Sequence, residues 1–252
     1  MLRDEERAYL QAAFRLRSLK QADERSVAGE AMLDEQTCRE VLTRVMPLVG
    51  APDLAIAASL LSKRIAFLAS GSVLYAMSVF DSGLLISLSR CRLEYAHDDG
   101  LWTSSLPLDV VEKDYAPGAR DEWREAVVSM LFRVFFSPLW QSLSRVSGVP
   151  EHILWENTAV RIYSLYQGRM EGLNEQQEQQ KQSDFNWLLK EADPVLFGLP
   201  WNPLKRFRRP LQKSITGTMV RFRRTCCFYY KAAQPEEYCQ NCPLLKMIQT
   251  LP

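Results

Sequence analysis

Tyr9, Ala12, Ala13, Leu16 and Leu19 fall at helical spacing and predict an opening helix. A second helix is expected to start at Asp34 and to end before Pro47 and Gly50. Pro52 is placed to open a third through "DLAIAASLLSKRIAFLA". The pattern then changes. Ile65–Phe80 carries no charge and has Ser-Gly-Ser in its middle, which reads as a buried helix running into buried sheet. The following "GLLISLSRCRLEYAHDDGLWTSSL" is rich in β-formers, with Asp98-Asp99-Gly100 as a hairpin-like turn. A small antiparallel sheet is therefore expected between residues 73 and 108.

Helical periodicity returns at "ARDEWREAVVSMLFRVFFSPLW", where Trp123, Val127, Met130, Leu131, Val134 and Phe135 form a core-facing stripe. Pro138 is expected to bend or stop that helix. Pro150 to Gly168 frames another helix, and the Gln/Glu-rich segment after it docks through Phe185, Trp187, Leu188 and Leu189. Pro194, Pro200, Pro203 and Pro210 then break the chain into irregular structure. The expected fold is α+β: a mostly helical body over residues 1–205, with a small antiparallel sheet in its N-terminal half. An irregular cysteine-rich segment follows over residues 206–252, too short to hold itself together without a staple.

Composition adds little, and the distribution of charge adds more. Of 252 residues, 47% are hydrophobic and 24% charged, with a net charge of +1. From Lys205 to Lys231 there are nine basic residues and no acidic one, which leaves 22 basic against 30 acidic residues elsewhere, a net of −8. The charged N-terminus has no apolar signal-peptide core. Ile65–Phe80, at sixteen residues, falls short of the roughly 18–20 that a transmembrane helix needs. The expected compartment is the cytoplasm, with no transmembrane segment.

Four of the six cysteines crowd into the last 27 residues: the adjacent pair Cys226 and Cys227, then, after an eleven-residue spacer, Cys239 and Cys242. Three kinds of staple compete. A disulfide framework needs an oxidising compartment, and adjacent cysteines lie closer than the usual disulfide range. A structural zinc ion suits the Cys-x-x-Cys half, but neighbouring side chains in the Cys-Cys half diverge from a single ion. A [2Fe–2S] cluster is wider, and each of its irons takes two thiolates. It also suits the basic surroundings: the cluster and its thiolates are anionic, and Arg223, Arg224 and Lys231 offset that charge. The cluster is the best reading of the three.

With Cys-Cys, a spacer near ten residues and Cys-x-x-Cys-Pro at its end, the chain resembles the FhuF-type ferric siderophore reductases. "ILWENTA" at 153–159 is similar to that family's Leu-Trp-x-Asn segment, "WNPLKR" at 201–206 to its Asn-Pro-Leu segment, and Arg224 stands just before the cysteine pair. The resemblance implies a [2Fe–2S] cluster held by Cys226, Cys227, Cys239 and Cys242. It also implies one-electron reduction of Fe(III) in a siderophore of hydroxamate type, with release of Fe(II) for iron assimilation. The absence of a Gly-x-Gly-x-x-Gly nucleotide fingerprint implies an external donor such as a flavin reductase, flavodoxin or ferredoxin. Arg206, Arg208, Arg209 and Arg224 are candidate contacts for donor or substrate; Trp155 and Asn157 are candidates to line a substrate cleft.

Other residues attract less. His97 and His152 lie in different segments, and Cys38 and Cys91 are isolated, as buried free thiols would be. No nucleophile-elbow motif supports a hydrolase. Two alternatives stay open: a zinc-stapled basic module that binds nucleic acid through Phe207, Phe222, Phe228, Tyr229 and Tyr230, although no nucleic acid is expected, and an iron–sulfur sensor.

Overall fold

The computed structural model describes residues 2–109, 111–214 and 217–248, the side chains of 246–248 excepted. The first helix, α1 (Asp4–Phe14), stops earlier than its apolar stripe: Arg15 turns left-handed at φ 55°. Leu16 therefore opens a strand, β1 (Leu16–Arg17), and β2 (Ser26–Ala28) follows. In α2 (Glu35–Leu48), Asp34 caps the start by accepting from Thr37 N at 2.8 Å, and Pro47 fits into the last turn. In α3 (Leu54–Val79) the cap is Asp53, which accepts from Ile56 N at 2.8 Å, so Pro52 stands just outside the helix.

The 26-residue α3 runs unbroken through Ser70-Gly71-Ser72, which corrects the expected change to sheet at residue 73. Ser72 Oγ donates to Leu68 O at 2.9 Å, and Ser70 Oγ likewise bonds Ala66 O, so both hydroxyls are satisfied inside the helix. Gly71 is a packing residue. A Cβ there would lie 2.3 Å from the Phe14 ring of α1.

After α3, strands resume at β3 (Gly83–Leu85), followed by β4 (Arg92–Glu94), β5 (His97–Asp98), β6 (Leu101–Trp102), β7 (Leu106–Pro107) and β8 (Val111–Lys113). The pairs β2–β4, β3–β8 and β5–β6 are antiparallel, the last across the Asp-Asp-Gly turn. The pair β1–β7 is parallel, a departure from the all-antiparallel expectation. These are short ribbons on a helical body.

Pro138 does not interrupt the next helical run. After α4 (Arg120–Ser129), Met130–Phe136 widens into a π-helix, and Pro138 sits in the first turn of α5 (Ser137–Ser147). The wider turn removes the clash and the missing-donor problem that a proline causes inside an α-helix. Then come α6 (Glu151–Gly168) and α7 (Glu175–Lys190), the latter with an Asn174–Gln177 capping box. The last elements are α8 (Pro203–Phe207), the antiparallel ribbon β9 (Gln212–Lys213) and β10 (Met219–Val220), and α9 (Pro243–Ile248).

The most extensive packing is between α3 and α6; α1, α2, α5 and α7 also pack against α3. Leu54–Val79 and Arg120–Ser147 are long and apolar enough to cross a membrane, but 72% and 61% of their most apolar windows are buried inside the fold.

Candidate iron–sulfur site

The α3–α6 pair is apolar along most of its length but carries a buried polar seam. On α3 the seam comprises Ser59, Ser62 and Lys63, which share one face at helical spacing. On α6 it comprises Glu156, Asn157 and Arg161. Asn157 Nδ2 donates to Ser59 O, Ser59 Oγ and Ser62 Oγ at 3.0, 3.1 and 2.9 Å. Its Oδ1 accepts from Arg223 Nη2 at 2.6 Å. Glu156 accepts the Arg224 and Thr225 backbone N–H groups at 2.6 and 2.8 Å, and the Thr225 hydroxyl besides. Ser59 Oγ donates to Cys227 O at 2.9 Å. Two helices from the body thus grip the chain on the N-terminal side of the cysteine pair and set its position.

Cys227 and Cys242 are buried, and Cys226 and Cys239 half-buried. Cys227 Sγ and Cys239 Sγ lie 3.8 Å apart. That separation is about what two thiolates on one tetrahedral metal adopt at a metal–sulfur distance near 2.3 Å. In the Cys-Gln-Asn-Cys turn, Cys242 N donates to Cys239 O at 2.9 Å. Phe228 adopts φ 63° and turns its N–H toward Cys226 Sγ at 3.3 Å. Among the described residues no three His, Cys, Asp or Glu side chains gather as a single-ion site; the closest sulfurs form a pair.

The surroundings favour negative charge on sulfur. Lys63 Nζ stands 3.6 Å from Cys227 Sγ. The hydrogen bond shared with Cys239, together with Lys63 and Arg223, holds the Cys227 thiol below its ordinary range despite burial. The same bond, together with burial, pushes Cys239 up. Burial lowers Lys63 and Arg161, and the nearby sulfurs partly offset this. Four thiols, a backbone N–H aimed at sulfur, buried Arg223 and half-buried Lys63 and Arg161 suit an anionic iron–sulfur cluster.

The other sequence candidates divide. Asn157 is 1% exposed and belongs to the clamp, not to a cleft wall. Trp155 is equally buried, stacks on Phe132 and donates Nε1 to Glu151 at 2.9 Å, which corrects its expected place in a substrate cleft. It lies two residues from Asn157, on the core side of α6. Arg224 projects to solvent while its backbone N–H meets Glu156. Arg206 lies over the Trp201 ring at 4.3 Å, and Arg208 over Phe185 at 5.0 Å. Arg208 and Arg209 line a cavity with Lys205 and Arg221, into which none of the four cysteines opens. Cys38 and Cys91 are free and buried away from the others. Burial raises the Cys91 thiol to about 12. His97 packs edge-on to Trp102, and His152 is exposed on α6.

Sequence reasoning passed over Ser59, Lys63, Glu156 and Arg161. One signal was present: Lys63-Arg64 is the only charged pair in the whole of α3, and a charge in an otherwise apolar helix needs a reason.

Residues 59–213 match the family model described as ferric iron reductase FhuF-like transporter, and residues 223–244 match the FhuF 2Fe-2S C-terminal domain. The first match contains the α3 and α6 sides of the seam, and the second contains all four cysteines. Among curated proteins none matches the chain.

Proposed function

Since the chain belongs to the FhuF-like ferric iron reductase family and carries its 2Fe-2S domain, we propose that it passes one electron to Fe(III) held in a hydroxamate-type siderophore. On this reading it works in the cytoplasm, takes its electron from an external flavin reductase, flavodoxin or ferredoxin, and releases Fe(II) for assimilation. Cys226, Cys227, Cys239 and Cys242 are the ligands. A [2Fe–2S] cluster bound there supplies one-electron chemistry, matched to a one-electron step.

The chain's own residues do the rest. Asn157 and Glu156 hold the segment before the cysteine pair, so the sulfurs sit at a fixed place against α3. Lys63, Arg161 and Arg223 supply positive charge beside the sulfurs and favour the more negative, reduced state. The balance is one electron lost by the reduced protein and one gained by iron. Siderophore oxygens are hard anionic donors that hold Fe(II) far less tightly than Fe(III), so reduction loosens the metal.

The observation that carries this reading is the 3.8 Å Cys227–Cys239 pair beside half-buried Lys63. Anaerobic purification with metal and sulfide analysis tests it. Two iron and two sulfide per chain, with an EPR signal on one-electron reduction, are expected. One zinc per chain and no colour would overturn it.

A further inference from the structure

Two open cavities share Lys63 and Arg161 as a common wall. The larger, about 630 Å³, contains Cys239 and also Glu156. The smaller, about 430 Å³, lies between α3, α6 and the β5–β6 hairpin and has no carboxylate in its lining. Four cations face it: Lys63, Arg64, Arg161 and Arg169. Aromatic rings complete it. Arg64 and Arg169 both sit over the Phe67 ring, at 5.6 and 5.0 Å, and Lys63 lies 5.1 Å from the Tyr229 ring.

Only part of this charge answers the sulfurs. Lys63 and Arg161 have Cys227 and Cys239 among their electrostatic neighbours. Arg64 does not: its charged neighbours are Arg15, Arg161 and Glu94. Glu94 is already engaged by Asp23 N and Ser105 N at 2.9 and 2.5 Å. Arg64 is instead fixed by Ser104, whose Oγ accepts from Nε at 3.0 Å. Among the described residues none of the four cations has a carboxylate partner. Two guanidinium groups over one ring beside two further cations repel one another unless an anion joins them. A planar cation over an aromatic face can still bond oxygens along its N–H edge; in Arg64, Nε and Nη2 already donate to Ser104, which leaves Nη1 for a ligand.

We infer that this cavity docks the ferric siderophore and selects chelates of net negative charge, bearing free carboxylates around the iron-binding core, over neutral or cationic ones. The inference rests on the reductase reading and narrows its substrate. A ferric tris-hydroxamate core is neutral, since three hydroxamates cancel Fe(III), so selection acts on the groups around the core. Lys63 reaches from the cavity wall to Cys227 Sγ, which puts the docked chelate one side chain from the proposed ligand sulfur. On transfer Fe(III) becomes Fe(II), the chelate gains one negative charge within the cationic wall, and the external donor restores the electron to the protein.

Ferrioxamine B, its N-acetyl form and its N-succinyl form share one iron-binding core and differ only in net charge: positive, neutral and negative. Equilibrium dialysis of their gallium complexes, which cannot be reduced, against the holoprotein measures docking apart from electron transfer. The negative form should bind about tenfold more tightly than the positive one at low salt. High salt should erase the difference, and Arg169→Glu on the exposed rim should abolish or invert it while the visible spectrum is unchanged. Arg64→Gln should weaken it in the same direction. Equal or tighter binding of the positive form would overturn the inference, as would a preference untouched by Arg169→Glu, or displacement of the gallium complex by equimolar flavin mononucleotide. The ferric forms separate the two readings. Reduction of all three at one KM leaves the reductase standing and removes the charge selection; reduction of none removes the reductase reading and the docking with it.

Discussion

Asn157 Oδ1 accepts a 2.6 Å hydrogen bond from Arg223 Nη2, joining the centre of α6 to the segment that leads into the cysteine pair. The same carboxamide donates to Ser59 and Ser62 of α3, so one side chain ties three parts of the chain. Asn157→Ala strands a buried guanidinium and should cost about 3 kcal/mol. Asn157→Asp keeps the pairing with Arg223 but loses the donor to Ser59 and Ser62, and should rescue only partly. Urea unfolding and limited proteolysis after residue 220 check this; an alanine variant of unchanged stability and protection would contradict the clamp.

Glu156→Gln should act on the same junction by a different route. Both carboxylate oxygens accept N–H or O–H donors, and an amide in place of one oxygen turns a donor toward a donor. A loss of about 1–3 kcal/mol is expected, together with faster release of iron from the holoprotein to a chelator. Stability that falls while iron release keeps the wild-type rate would mean that the junction does not hold the site.

Lys63→Met removes the cation 3.6 Å from Cys227 Sγ. The reduced, more negative state loses stabilisation, so the reduction potential should become more negative, with Lys63→Arg nearer to wild type. Spectroelectrochemical titration reads the sign directly. A potential that rises, or stays put, would remove Lys63 from the tuning of the site.

The helical body supplies a control. Asp184 is fully buried and receives Arg120 at 2.9 Å, Arg124 at 3.3 Å and Ser78 at 2.9 Å. Asp184→Ala should destabilise the fold by about 3–5 kcal/mol, because two arginines lose their buried counter-charge. Its visible spectrum and potential should match wild type; a changed spectrum would mean that this network reaches the sulfurs.

How much of this could be read beforehand follows from sequence distance. The four cysteines fall within a short segment, and their spacing together with the basic residues around them and the family resemblance points to the cluster. A helix start was legible where the cap acts locally, as at Asp34. What escaped lies across the fold. Lys63 meets a thiol 164 residues away, and no local pattern announces that. Trp155 and Asn157 stand two residues apart in one motif, yet one enters the core and the other the seam; the phase of α6 decides this, and a helix apolar on most sides does not reveal its phase. Gly71 reads locally as a break because its reason, the Phe14 ring, sits on another helix. The parallel β1–β7 pair joins two-residue strands 90 positions apart, too short to show a period.

Substitution at the cysteines separates ligands from bystanders. Cys226, Cys227, Cys239 and Cys242 changed singly to Ser should lose or destabilise the cluster and loosen the C-terminal segment, since cluster binding there is folding energy. Cys38→Ser and Cys91→Ser should keep full colour. A normal cluster in Cys227→Ser would refute ligation by the adjacent pair.

Single-turnover mixing tests the central claim most directly. Protein reduced anaerobically and freed of reductant is mixed with a ferric siderophore and an Fe(II)-trapping chelator. Oxidised-state absorbance should return as one Fe(II) is trapped per chain, both at one rate. Fe(II) formation without reoxidation of the protein, or a reduced protein left unchanged by the ferric complex, would contradict it.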